Sequence, residues 1–165
     1  MKLPRAALLL AVLLAAVPQA CVALEKGGLY PADRDQVFVA YFYNETFYRD
    51  VEFDLGDQIV AEILSRPGLR LSSKEDAEVI LTGRVLKVQQ HVLSENPKLN
   101  PTSETTSVTV EVRLEDAHTG KVLKKQKLTG TGEFVQAVGE TVEPGRRTAF
   151  HFLARDIVRM LEKDF

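Results

Sequence analysis

The chain has 165 residues with 21 basic and 23 acidic side chains, a formal charge of −2 that excludes an overall electrostatic pull toward nucleic acid. One cysteine excludes an intramolecular disulfide, so an exported fold of this sequence must rest on packing. The length suits one domain with a sizeable core.

The N-terminus reads as a targeting segment. Lys2 and Arg5 precede an uncharged apolar run, Ala6 to Val17, which Pro18 breaks. That layout predicts a secretory signal over residues 1–20. Cys21 then falls where a lipoprotein signal places its acylated residue, with the small Ala20 before it, although Pro18 stands where a large aliphatic residue is usual. Ordinary cleavage after Ala23 is the alternative. Acylation of Cys21 would anchor the protein to a membrane without spanning it. Loss of Lys2 and Arg5 leaves a mature charge of −4. Residues 21–35, punctuated by Gly27-Gly28 and Pro31, read as a tether, and residues 36–165 as a single domain.

Gln36 to Thr46 opens that domain with an uncharged run, Val37 to Phe42, which predicts a central strand buried on both faces. Asn44-Glu45-Thr46 supplies small polar side chains that end it by bonding nearby backbone. Val51, Leu55, Ile59, Val60, Ile63 and Leu64 recur at helical spacing, with Asp50, Glu52 and Asp54 near the start and Pro67-Gly68 as the stop. Leu69 to Leu71 reads as a short strand. Ala77 to Val92 reads as a long strand whose apolar parity switches between Gly83 and Leu86, the mark of a β-bulge. The strand–helix–strand order predicts that it runs parallel to the first strand.

Leu93 to Thr106, with two prolines and two asparagines, reads as a fourteen-residue loop. Ser107 to Asp116 alternates cleanly, with Val108, Val110, Val112 and Leu114 on one face. Asp116 to Gly120 is a turn, and Val122 to Gly130 returns as a lysine-bearing edge strand. Thr131 to Gly145 reads as a second loop. The closing helix carries Phe150, Leu153, Ala154, Ile157, Val158 and Leu161 on one stripe. These elements predict an α+β two-layer sandwich, with two helices packed on one face of a four-stranded mixed sheet.

The chemistry-bearing residues form no catalytic set. His91, His118 and His151 fall on a strand, a turn and a helix without carboxylates at ligand spacing, so neither a zinc site nor a general acid–base pair is expected, and no cofactor. Gly130-Thr131-Gly132 lacks the Gly-Lys-Ser/Thr of a phosphate loop. Basic residues remain. Arg84 and Lys87 on the bulged strand, with Lys121, Lys124, Lys125 and Lys127 on the hairpin, either gather into a phosphate-binding patch or serve as solvated edge protection.

Several segments in order resemble one family. VFVAYFYNETFYRDVEFDLGDQIV, with Asn44, Thr46, Glu52 and Leu55, is similar to the first strand and helix of the LptE-type lipopolysaccharide-assembly lipoproteins. Ala77, Glu78, Leu81 and Gly83 match the family's second block. VEVRLEDAHTGKVL resembles its hairpin, and Val138-Gly139-Glu140 with Leu153 to Val158 its closing loop and helix. The resemblance implies a non-enzymatic lipoprotein on the periplasmic side of the outer membrane, lipid-anchored at Cys21. It also implies that the protein plugs and stabilises an LptD-type β-barrel and helps deliver lipopolysaccharide to the outer leaflet. Arg84, Lys87, Lys124 and Lys125 are then the candidates for its phosphates. The alternative is a soluble or lipidated periplasmic domain that regulates an envelope enzyme or secretion pore.

Overall fold

The computed structural model describes residues 30–31, 34–95, 101–134 and 142–162, the side chains of 93–95 and 101–103 excepted. The expected signal segment, Cys21 and most of the expected 21–35 tether lie outside the described residues. So do Val138 to Glu140 of the closing-loop block. Tyr30, within the expected 21–35 tether, is buried, and its ring lies beside Gly68.

The expected α+β sandwich is present, but its sheet has six strands rather than four. In chain order these are β1 (Gln36–Val39), β2 (Tyr43–Asn44), helix α1 (Val51–Ser65), β3 (Arg70–Leu71), β4 (Val79–Glu95), β5 (Pro101–Asp116), β6 (Val122–Phe134) and helix α2 (Val142–Arg159). The sheet order is β3-β1-β4-β5-β6, with β2 continuing the line of β1 along β4. As predicted, β1 and β4 are parallel, while β4, β5 and β6 form an antiparallel meander.

The separation of β2 from β1 has a local cause. Val39 pairs with Leu81 and Tyr43 with Arg84, so the first strand advances one residue more than its partner. One extra residue flips every later side chain. Val37 before the irregularity and Phe42 within it are both buried, whereas Tyr41 and Tyr43 are 86% and 67% exposed. The run is therefore not buried on both faces, because helices cover only one. Gly83 is required beneath Phe42: a Cβ there would meet the phenyl ring and, at 2.7 Å, the Glu111 carbonyl oxygen.

Asn44 ends the strand as expected and also sets the entry to α1. Its Oδ1 accepts from the Thr46 N–H (2.9 Å) and hydroxyl (2.8 Å), and its Nδ2 donates to Glu52 in the helix's first turn (2.7 Å). Asp50, at the N-cap, has φ 63° and no side-chain cap, so the turn holds a non-glycine residue in the left-handed region. The bulge predicted in the next strand lies between Val85 and Lys87, where the β4–β5 register shifts.

Both expected loops are shorter than the sequence suggests. β4 runs on to Glu95 and β5 begins at Pro101, making a long antiparallel arm. Threonine suits a pleated surface as well as a turn, and Thr105 and Thr106 are buried in that ladder opposite His91 and Gln90. Likewise β6 continues to Phe134 and α2 begins at Val142. Pro144 is compatible with a first helical turn, whose N–H groups lack intrahelical partners.

The core lies between the sheet's inner face and the two helices. Leu55, Ile59 and Ile63 of α1 and Leu153 and Ile157 of α2 are fully buried against Val79, Leu81, Val110 and Val112. The α2–β6 contact is closest at glycines. A Cβ on Gly132 would collide with the Gly145 carbonyl and come within 2.8 Å of the Ala149 nitrogen; one on Gly130 would strike the Ala149 carbonyl and Leu153. The Gly-Thr-Gly segment is a seat for a helix.

Candidate functional site: the open face of the sheet

The face of the sheet away from the helices is polar, and it carries most of the predicted basic residues. Val108, Val110, Val112 and Leu114 point into the core, so Thr109, Glu111, Arg113 and Glu115 point outward. Register then brings Arg84 of β4 opposite Glu111, and places Lys127 on that residue's other side in β6. Lys125 pairs with Arg113 on the same face. Lys87, just past the bulge, stands opposite Thr109, whose hydroxyl is 3.0 Å from that of Thr129.

Glu111 is the centre of this arrangement. Its Oε1 accepts from Arg84 Nη2 at 2.8 Å and lies 3.6 Å from Arg113 Nη2; its Oε2 is 3.1 Å from Lys125 Nζ. Arg84 also donates through Nη1 to Glu45, at 2.9 Å. The bonds from Arg84 and then Lys125 hold the Glu111 carboxyl down at about 2. In return, Glu111 and then Glu45 raise the Arg84 guanidinium above its ordinary value.

The four predicted residues do not form one cluster. Arg84 and Lys125 meet through Glu111. Lys87 shares their face but sits beyond the bulge, exposed. Lys124 pairs with Leu114 on the helix side, where its Nζ donates to the Glu162 carbonyl at 3.3 Å. Sequence reasoning missed Glu111 and Glu45 as charge partners. The alternation of β5 placed Glu111 on the polar face, but no local signal states which β4 residue lies across from it. A hollow of about 320 Å³ opens beside this network, walled by Tyr41, Tyr43, Arg84, Arg113 and Glu115. Among the described residues no group of three or more His, Cys, Asp or Glu is placed to hold a metal ion, and no helix is long and apolar enough to cross a membrane.

The family model described as lipopolysaccharide-assembly, LptE, matches residues 34–161, nearly the whole domain. The chain belongs to the LptE family. The ordered blocks around Asn44, Gly83 and the 110–123 hairpin thus carry a real relationship, and the LptE assignment places the chain among lipopolysaccharide-assembly proteins. Among curated protein sequences none matches it. Solved structures of the same fold include protein XCC0632 from Xanthomonas campestris (TM-score 0.60, 11% identity, 79% of this chain and 85% of that one). Protein CT253 from Chlamydia trachomatis gives 0.58 at 13% identity over 77% and 95%. PelC from Paraburkholderia phytofirmans, solved as a dodecamer, gives 0.53 at 17% over 83% and 95%. At such identities these three share the LptE chain's fold, and nothing more is taken from them.

Proposed function

We propose that the protein is a non-enzymatic assembly factor of the outer membrane. It seats against an LptD-type β-barrel and presents the open face of its sheet to lipopolysaccharide phosphates. The observation that carries the second part is the row of Arg84, Arg113, Lys125, Lys127 and Lys87 across three adjacent strands. A phosphate offers several acceptor oxygens to such a row, and a guanidinium meets two of them at once. Glu111 occupies that place in the free protein, so phosphate binding exchanges one anion for another on cations already in position. Lys124 is left out of this contact because it projects from the helix side. Acylation of Cys21 completes the proposal, with residues 22–29 leading from the lipid to Tyr30.

Affinity purification from envelope in mild detergent tests the barrel contact. A co-purifying LptD-type barrel is the expected result; its absence overturns the plug and favours the periplasmic regulatory alternative. Mass spectrometry of the mature N-terminus tests the anchor, and a chain beginning at Leu24 removes it. For the ligand, replacing Arg84, Lys87 and Lys125 by Gln together should weaken lipopolysaccharide binding about tenfold or more, while Lys124→Gln leaves it unchanged. Equal losses from the two variants would refute the open face as the site.

A further inference from the structure

The sheet has two lateral edges of different character. The β6 edge carries Lys124, Lys125 and Lys127, charges that discourage another strand from pairing. The other edge carries less charge: its outermost strand, β3, is two residues long and holds Arg70 in an ion pair with Asp35. β3 covers β1 only at Gln36 and Val37, and β2 pairs with β4 alone. Among the described residues, therefore, no strand lies along the outer side of Phe38 to Asn44, and Val37 to Tyr43 contains no charge. Beside this edge runs an apolar groove of about 300 Å³ between the strand and α1, floored by Val39 and Ala40 and walled by Phe53, Gly56 and Val60. Tyr41 and Phe53 meet edge to face across it, ring centroids 6.0 Å apart, and Phe53 is 51% exposed. The groove is open above Gly56, where a Cβ would have nothing within 4 Å. The carboxylates lining the groove are Glu52, which also accepts from Asn44 Nδ2, and Asp57, and no Lys, Arg or His lines it.

We infer that the Phe38–Asn44 edge and its α1 groove form a docking site for an extended segment of a partner protein, apolar at alternate positions and basic at its flank. Unpaired strand edges recognise extended backbone through main-chain hydrogen bonds, and the flanking pocket selects alternate side chains. The two carboxylates with no cation among the lining residues set the sign of the flank. Tyr41 lines both this groove and the hollow beside the Glu111 network, so the two sites adjoin, but strand addition at the edge does not require lipopolysaccharide binding.

The test uses a synthetic peptide of alternating valine and threonine with a lysine at each end. Its binding is read by fluorescence anisotropy, and its position by amide exchange in the full chain. The expected result is binding with new protection at Val39 to Tyr43, weakened about tenfold when the terminal lysines become glutamates. Gly56→Leu should fill the groove and weaken binding by about tenfold or more. Gly56→Ala should keep most of the binding. Both variants should melt no lower than the parent, since glycine is a poor helix residue. The inference is overturned if the peptide does not bind, protects the β6 edge instead, or binds the Gly56→Leu variant as well as the parent. It is also overturned if Gly56→Leu abolishes self-association in sedimentation, or adsorption to phospholipid vesicles, because a second copy or a lipid surface would then be the occupant.

Discussion

The carboxylate of Glu111 takes bonds from Arg84 and Lys125 and lies near Arg113, at 18% side-chain exposure. Its carboxyl is held at about 2, below the ordinary 4.5. A depressed carboxyl contributes stability that is complete above its unfolded value and disappears as pH falls through the folded one. Asp116, lowered by the Thr119 backbone N–H and hydroxyl, acts in the same direction; Asp54, raised mainly by burial between the helices, acts in the opposite one. Glu111→Gln isolates the residue. Between pH 4.5 and about 2 the parent should lose melting temperature faster than this variant, and identical slopes would mean that the network contributes no linkage. If lipopolysaccharide phosphates use Arg84 and Lys125, the same variant should bind them more tightly at neutral pH, because the competing carboxylate is gone.

Both helices bury large side chains, but α2 also rests on glycines. α1 docks through large side chains, Leu55, Ile59 and Ile63, and its Gly56 touches nothing with its missing Cβ. α2 buries Phe150, Leu153 and Ile157 and adds a second device: Gly130 and Gly132 of β6 and Gly145 of the helix let backbone approach backbone. Glycine costs an element conformational entropy relative to alanine, about 0.5–1 kcal/mol. At Gly56 that cost is recoverable, so Gly56→Ala should raise stability by up to about 1 kcal/mol. At Gly132 the new methyl meets main-chain atoms that cannot rotate away. Gly132→Ala should lower stability by about 3 kcal/mol, read as a lower denaturant midpoint at unchanged slope. A neutral Gly132→Ala would show that α2 can slide off β6 without loss.

Across the whole molecule, protection should follow the sheet order. The inner strands β4 and β5 are paired on both sides near Val79–Val85 and Val110–Leu114, beneath the buried stripes of both helices. β2 and β3 are two residues each and have a strand on one side only. Native-state hydrogen exchange should therefore find its slowest amides in the central β4–β5 pairs and its fastest strand amides in β2 and β3. A slower β2 in isolation would contradict the free edge. In the presence of a partner, a slower β2 is what strand addition predicts.

Periodicity is a property of consecutive residues, and what it encodes was legible. Both helices, the parallel β1–β4 pair, the bulge before Lys87, the Asp116–Gly120 turn and the Asn44 stop all follow from local spacing and local side-chain chemistry. The family also follows from ordered local blocks, from Asn44 to the closing helix. What depended on distant segments was not legible. Thr105 and Thr106 read as loop because only the facing strand shows that they are buried. Tyr41 read as core because only the helices' single-sided cover exposes it. Arg84, Lys87, Lys124 and Lys125 read either as one phosphate patch or as solvated charges, and strand register set Lys124 on the helix side and placed Glu111 between Arg84 and Lys125. Register is fixed by pairing across the sheet, so the electrostatics of the open face and the free edge at Phe38–Asn44 were decided by the tertiary structure alone.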